Sequence, residues 1–347
     1  MSSDTKFVMP PEWHRHSATQ LHWPSNRRTW PGERLERVEE VYCKIIEDLH
    51  FYEPIQLFVE SLELRNRVMQ KLSLRAVELD RIIIHQQKIN DIWARDCGPI
   101  FVKKGEEYVI TDWGYNAWGE KYPPWENDNY LPEFIATKYD LKRVIPDMIL
   151  EGGSIDVNGA GALLTTESVL LNKNRNPQLS KRDIEERLNK FLGADQVIWL
   201  KKGLAGDDTD GHIDDITRWL NEDTVLTMVC EDKNDVNNEA LEENLEILRN
   251  VKLKNGKALN IETLPLPKTK IEGTTVDGSE YVPASYANFY IANGVVLVPI
   301  YDKRYDDEAL TLFRRYFPGR KVIGIYCADL VWGQGSIHCI TQQWYGI

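Results

Sequence analysis

Cysteine is scarce and poorly arranged for cross-linking: Cys43, Cys97, Cys230, Cys327 and Cys339 are odd in number, widely separated and include no Cys-x-x-Cys pair. That argues against a disulfide framework or a zinc knuckle and predicts reduced thiols. Long apolar runs are missing too, so no membrane-spanning helix is expected. The first residues, Met1-Ser2-Ser3-Asp4-Thr5-Lys6, lack the basic-then-apolar order of an export signal. Nor is there an excess of cations: 42 Lys and Arg face 54 Asp and Glu, a net charge of −12. Such a surface repels phosphate backbones and anionic lipid but attracts a small cation, so neither nucleic acid nor membrane is an expected partner. A cytoplasmic enzyme is the simplest reading. Pro/Ser-rich linkers, low-complexity tracts and visible repeats are also absent, and the 347 residues, 42% of them hydrophobic, read as one domain spanning 1–347.

What is abundant is tryptophan, eleven in all, several beside Gly, Asn or Pro rather than on a helical stripe. Helical periodicity marks 33–49 and 237–249, with shorter helices at 62–72, 180–192 and 307–317. Between them fall β-rich runs at 55–59, 81–85, 100–102, 108–112, 162–165, 169–171, 196–199, 224–228, 287–291, 295–299 and 321–325. Segments 112–129 and 268–283 read as loops. Strands and helices interleave throughout, an α/β pattern with too many strands for one helix per strand. Repeated units of a strand pair plus a helix fit better.

Five runs could carry chemistry. In Gly333-Gln334-Gly335-Ser336-Ile337-His338-Cys339-Ile340-Thr341-Gln342-Gln343 a thiol is reached through glycines, as a nucleophile needing backbone room would be. In Gly206-Asp207-Asp208-Thr209-Asp210-Gly211-His212-Ile213-Asp214-Asp215, His212 and Asp214 stand two apart, so on an extended strand both face one side. The ligand spacing of a calcium loop is not met there, although a solvated acidic turn would also fit. Trp93-Ala94-Arg95-Asp96-Cys97-Gly98-Pro99 makes a turn that can aim Asp96 into a cleft, or simply hold an ion pair; Asp96 disfavours a thiolate at the neighbouring Cys97. Glu151-Gly152-Gly153-Ser154, followed by Asn172-Lys173-Asn174-Arg175-Asn176-Pro177, permits close backbone approach to a ligand or is only a turn. Asp112-Trp113-Gly114-Tyr115-Asn116-Ala117-Trp118-Gly119-Glu120-Lys121-Tyr122 suits either a cation-binding lip or plain loop packing. Carboxylates, a histidine and a cysteine together suit a cationic electrophile. A planar guanidinium accepts paired carboxylates on its N–H edges and leaves its carbon open to a thiolate.

Taken in chain order, the runs resemble the agmatine deiminase family, related to bacterial peptidyl-arginine deiminase within the guanidino-modifying (pentein) superfamily. The matching patterns are Trp-x-Arg-Asp-x-Gly-Pro, Trp-Gly-x-Asn-Ala-Trp-Gly, Glu-Gly-Gly-Ser, Asp-Gly-His-x-Asp and Gly-x-Gly-x-Ile-His-Cys-Ile-Thr-Gln-Gln, and the likeness runs from Trp23-Pro24 to Thr341-Gln342-Gln343. Departures are Gln334 where a third glycine is common, Ala94 where methionine is common, and the longer lead-in Asp207-Asp208-Thr209. The resemblance implies a five-bladed α/β propeller (pentein fold) of pseudo-fivefold, strand-rich repeats. It implies Cys339 as nucleophile, His212 as general acid and base, and Asp96 and Asp214 as guanidinium clamps. Glu151, Gly152, Trp93, Trp113, Trp118 and Asn288 are the choices for pocket lining.

The implied reaction is hydrolytic deimination of agmatine to N-carbamoylputrescine and ammonia, a step of polyamine biosynthesis, with no metal or organic cofactor. The partner is then a small cationic guanidino substrate, and a homo-oligomer is compatible with this reading. Deimination of arginine, methylated arginine or peptidyl-arginine is the enzymatic alternative. A catalytically silent polyamine- or arginine-binding protein and a metal-binding structural protein are the others.

Overall fold

Branched apolar runs such as Val295-Val296-Leu297-Val298 are buried along their whole length, which a central strand covered on both faces requires. The computed structural model describes residues 6–268, 275 and 278–347, and these fall into two compact units. The first holds residues 6–11, 96–266 and 346; the second holds 12–95, the described part of 267–345, and 347.

Three sheets build the first unit. Strand Ile100–Lys104 pairs antiparallel with Phe7–Val8 and Glu107–Thr111, and the latter runs parallel to Arg143–Val144 after helix Leu131–Lys138. Asp156–Val157 is antiparallel to Ala162–Thr166, which is parallel to Gln196–Leu200 across helix Lys181–Leu192. Thr217–Trp219 is antiparallel to Thr224–Val229, itself parallel to Asn260–Pro265 across helix Asn238–Asn250.

The second unit has two sheets. Tyr290–Ile291, Val295–Ile300 and Lys321–Tyr326 repeat the same plan around helix Lys303–Tyr316. In the other, Gln342–Trp344 is antiparallel to Ala18–His22, then Ile55–Val59 and Ile82–Gln86 follow in parallel after helices Arg34–Leu49 and Leu62–Ser73. All five sheets among the described residues therefore share one unit, an antiparallel pair extended by a helical crossover to a parallel strand.

The sequence-based elements differ from this at telling places. Residues 169–171 are not a strand: Thr166 Oγ1 accepts from Val169 N and starts helix Glu167–Leu170. A local cap therefore overrides β propensity there. Of 287–291 only Tyr290–Ile291 is strand. Strands Thr217–Trp219, Asn260–Pro265 and Gln342–Trp344 carry too many polar residues to alternate visibly. The loop 112–129 contains short helices at Ala117–Glu120 and Glu126–Asn129, while 269–274 and 276–277 of the loop 268–283 lie outside the described residues.

Helix Lys181–Leu192 is specified twice over. Ser180 and Asp183 form a reciprocal capping box, and Ile184, Leu188 and Leu192 drive into a core with Val102, Val109, Leu163 and Val169. Leu188 is fully buried. Leu188→Ala should cost about 3 kcal/mol, read as a lower denaturation midpoint at unchanged slope, against about 1 kcal/mol for Ser180→Ala.

Candidate active site

The first unit gathers a buried acid–base cluster around Gly153. A Cβ placed on Gly153 would lie 2.6 Å from His212 Nδ1, 2.7 Å from Asp96 Oδ1 and 3.1 Å from Asp214 Oδ2. Only a hydrogen fits there, so the glycine lets an imidazole and two carboxylates converge on backbone. Gly152, Gly153 and Ser154 form one buried 3-10 turn, and the Gly153 N–H donates to Asp96 Oδ1 at 3.0 Å. The other Asp96 oxygen accepts from Trp118 Nε1 at 3.0 Å. Trp118 stands at φ 57° between Ala117 and Gly119, in a turn where Asn116 Oδ1 accepts from Gly119 N at 2.9 Å. A tryptophan in left-handed backbone is strained, and its bond to Asp96 is what that geometry delivers.

His212 and Asp214 do share a side, by a turn rather than by the extended strand their spacing suggested. His212 has extended backbone at the head of the 3-10 turn Ile213–Asp215. Its approach is set by Asp207, which accepts from Thr209 N and Oγ1 on one oxygen and from His212 N, at 2.9 Å, on the other. His212 Nδ1 is 3.7 Å from Asp96 Oδ1, a charge contact rather than a hydrogen bond, and Nε2 has no hydrogen-bond partner among the described residues.

Electrostatics follow from this packing. Burial pushes the Asp96 carboxyl up to about 6, against the lowering influence of His212, with Asp214 and Glu151 adding to the rise. Burial also works against charging His212, yet Asp96, Asp214, Glu151 and Asp207 outweigh it and hold its pKa above the ordinary value. Asp207 is raised, chiefly by burial. Glu151 is fully buried and receives Arg175 Nε at 2.6 Å on Oε1, while its Oε2 accepts no hydrogen bond among the described residues. A buried group of acids with one imidazole is a receptor for a cation.

The second unit holds the cysteine. Cys339 is 6% exposed, and its sulfur receives Asn288 Nδ2 at 3.1 Å, while Asn288 Oδ1 accepts from His338 N at 2.9 Å. An amide N–H directed at the sulfur favours its anionic form. Below the loop, His338 Nε2 meets Glu12 Oε2 at 2.8 Å, and Arg95 donates from Nε to His338 O and from its backbone N to Cys339 O. Trp93 carries the loop: a Cβ on Gly335 would lie 2.3 Å from its ring. Gln334 takes φ 79° between the glycines.

The residues chosen from sequence thus divide. Asp96, His212, Asp214, Glu151 and Trp118 are joined in the first unit, with Gly152 opening the turn beside them. Asn288 and Trp93 attend Cys339 in the second. Trp113 does not join either group: its ring is in the hydrophobic core and its N–H bonds Thr111 Oγ1 at 2.9 Å. Sequence reasoning passed over Gly153, Asp207 and Arg175, although each lies inside a quoted run, and it had no signal for Glu12.

The family model for Porphyromonas-type peptidyl-arginine deiminase matches residues 8–344. The chain belongs to that family. Agmatine deiminase from Medicago truncatula is 36% identical over 97% of this chain and 96% of its own. The solved agmatine deiminase of Enterococcus faecalis is 31% identical with a TM-score of 0.89, covering 99% of this chain and 98% of that one. A Cys-to-Ser variant of C. jejuni agmatine deiminase, solved with substrate bound, is 28% identical with a TM-score of 0.87, covering 100% and 98%. The architecture of this deiminase-family chain is accordingly the α/β pentein-like fold.

The Trp118–Asp96 bond makes an activity-independent prediction. In side-chain carboxyl NMR Asp96 should titrate near pH 6, and Trp118→Phe, which removes an N–H from the carboxylate, should move that midpoint up by about half to one unit.

Proposed function

We propose that this protein is an agmatine deiminase, hydrolysing agmatine to N-carbamoylputrescine and ammonia. The observation that carries the reading is the convergence of Asp96, His212 and Asp214 on Gly153, a buried anionic receptor with an imidazole nitrogen left for a ligand. Asp96 and Asp214 hold the guanidinium by its N–H edges and expose its carbon. The Cys339 thiolate adds to that carbon; His212 passes a proton to one amino group, which leaves as ammonia, and a thiouronium bound through sulfur remains. His212 then takes a proton from water as its oxygen adds to the same carbon. The carbon–sulfur bond breaks, returning the thiolate and releasing the ureido product. This sequence of steps calls on no metal or organic cofactor.

Agmatine is favoured over free or peptidyl arginine because it brings no carboxylate or peptide group that needs a cation. Arg175, the cation on Glu151, is already engaged by Asp210 as well. On the same reading, the five like-built sheets are the blades of a five-bladed α/β propeller and residues 1–347 act as a single catalytic domain. On this reading the setting is cytoplasmic, which suits five scattered cysteines with no Cys-x-x-Cys pair among them.

Cys339→Ala should lower turnover by several orders of magnitude, roughly as other enzymes respond to loss of the nucleophile, while agmatine still binds in calorimetry. Near-normal ammonia release by that variant would remove the nucleophile assignment. Asp96→Asn and Asp214→Asn should each lose about 2–3 kcal/mol of transition-state stabilisation, measured as kcat/KM, because one charge-assisted pair is gone. Mass-spectrometric product analysis with agmatine, arginine, methylarginine and a peptidyl-arginine sorts the alternatives: highest kcat/KM for agmatine is expected, and highest kcat/KM for any of the others overturns the substrate choice.

A further inference from the structure

The run Asn172-Lys173-Asn174-Arg175-Asn176-Pro177 has no role in the chemistry above, yet the Arg175 side chain is wholly buried. Its donors are spread over fixed acceptors: Nε to Glu151 Oε1 at 2.6 Å, Nη1 to Asp210 Oδ2 at 2.6 Å and Asn174 Oδ1 at 2.7 Å, and Nη2 to Thr209 O at 2.9 Å. These acceptors lie on the two segments that carry the acid–base cluster. Glu151 leads into the turn whose Gly153 N–H donates to Asp96. Thr209 and Asp210 stand just before His212, and Thr209 Oγ1 also accepts from the His212 N–H at 3.2 Å. Asp210 is in left-handed backbone at φ 73°, and its carboxylate is shared by Arg175, Asn174 and Lys121. Such a conformation persists only when its surroundings over-determine it. A solvated or merely turn-forming polar run would not place a dehydrated guanidinium at this junction.

We propose that Arg175 is a positioning residue for the acid–base histidine. One edge of its guanidinium grips Glu151 and the other grips the 209–210 segment, so it sets both the stance of His212 and the share of Glu151 charge that reaches the imidazole. The inference rests on the reading of His212 as acid and base. Lysine keeps the charge here but cannot reproduce the fork, which separates geometry from electrostatics.

The sign of the electrostatic effect follows from the neighbours. Asp96, Asp214, Glu151 and Asp207 face His212 and favour its protonated form; Arg175 offsets Glu151. Without that cation the imidazole holds its proton to higher pH. The rate limb that reports loss of the proton from His212 then moves upward.

The test compares wild type, Arg175→Gln and Arg175→Lys as full-length proteins, with kcat and KM for agmatine across pH and thermal melting of each. In Arg175→Gln, kcat should fall by about tenfold or more, KM should change by less than about threefold, and the alkaline limb should rise by about half to one pH unit. Arg175→Lys should also lose kcat, by about fivefold or more, with its limb left at the wild-type position. A kcat within twofold of wild type in Arg175→Lys, or an unmoved limb in Arg175→Gln, overturns the proposal and leaves Arg175 a structural ion pair. Should Arg175→Gln not fold, the Lys variant decides alone through kcat at a melting temperature near wild type. If wild-type protein turns over no guanidine, the functional reading has failed instead; the His212 imidazole titration by NMR, expected to rise in Arg175→Gln and static if the inference is wrong, still tests the positioning role.

Discussion

A single hydrogen atom, where every other residue has a side chain, permits this site. Gly153 gives up its Cβ so that His212, Asp96 and Asp214 can crowd onto its backbone, and the result is an imidazole held between carboxylates out of water. Burial alone would drive each of these groups to its neutral form. Their mutual field reverses that for His212, whose pKa is held above the ordinary value, and leaves Asp96 with a raised carboxyl. Like charges so confined are unfavourable until a cation arrives. The site therefore stores a demand for positive charge, and a guanidinium meets it with the right shape.

Holding that cluster requires a second layer of polar contacts. Asp207 fixes the backbone of the His212 turn, Trp118 fixes one oxygen of Asp96 and Gly153 N–H the other, and Arg175 ties the Glu151 turn to the histidine turn. In the other unit Asn288 performs the equivalent task for Cys339, accepting from the backbone of the loop and donating to its sulfur. Much of the support is strained or close-packed backbone: Trp118, Asp210 and Gln334 at positive φ, Gly335 against the Trp93 ring. Strain of this kind persists only where the residues in contact with it over-determine the backbone, as the bonds of Trp118 to Asp96 and of Asp210 to Arg175 do.

How much of this could be read beforehand varies by element. Amphipathic helices with clear periodicity, such as Arg34–Leu49 and Lys181–Leu192, were legible because solvent and core impose opposite demands on their two faces, and apolar strands such as Val295–Ile300 were legible because burial on both faces leaves a short continuous apolar run. Short polar strands were not, since Thr217–Trp219 and Gln342–Trp344 owe their conformation to a partner strand distant in sequence. The triplet at 169–171 was misread because one Thr166 hydroxyl outweighed three apolar side chains. Trp113 was misplaced for a related reason: an aromatic beside a glycine looks the same in a text whether it lines a pocket or fills a core.

The amino-acid order by itself determined the chemical vocabulary: a thiol among glycines, a histidine with aspartates beside it, an Arg-Asp turn, a glycine pair and an acidic chain inviting a cation. Those are properties of residue type and local spacing, so they survive in one dimension. Which glycine admits the cluster, which arginine restrains the histidine turn, and which amide meets the sulfur were decided only by the tertiary structure. Each depends on distances between residues tens of positions apart, Gly153 with Asp96 and His212, Arg175 with Glu151 and Thr209, Asn288 with Cys339, and no local propensity encodes such a distance.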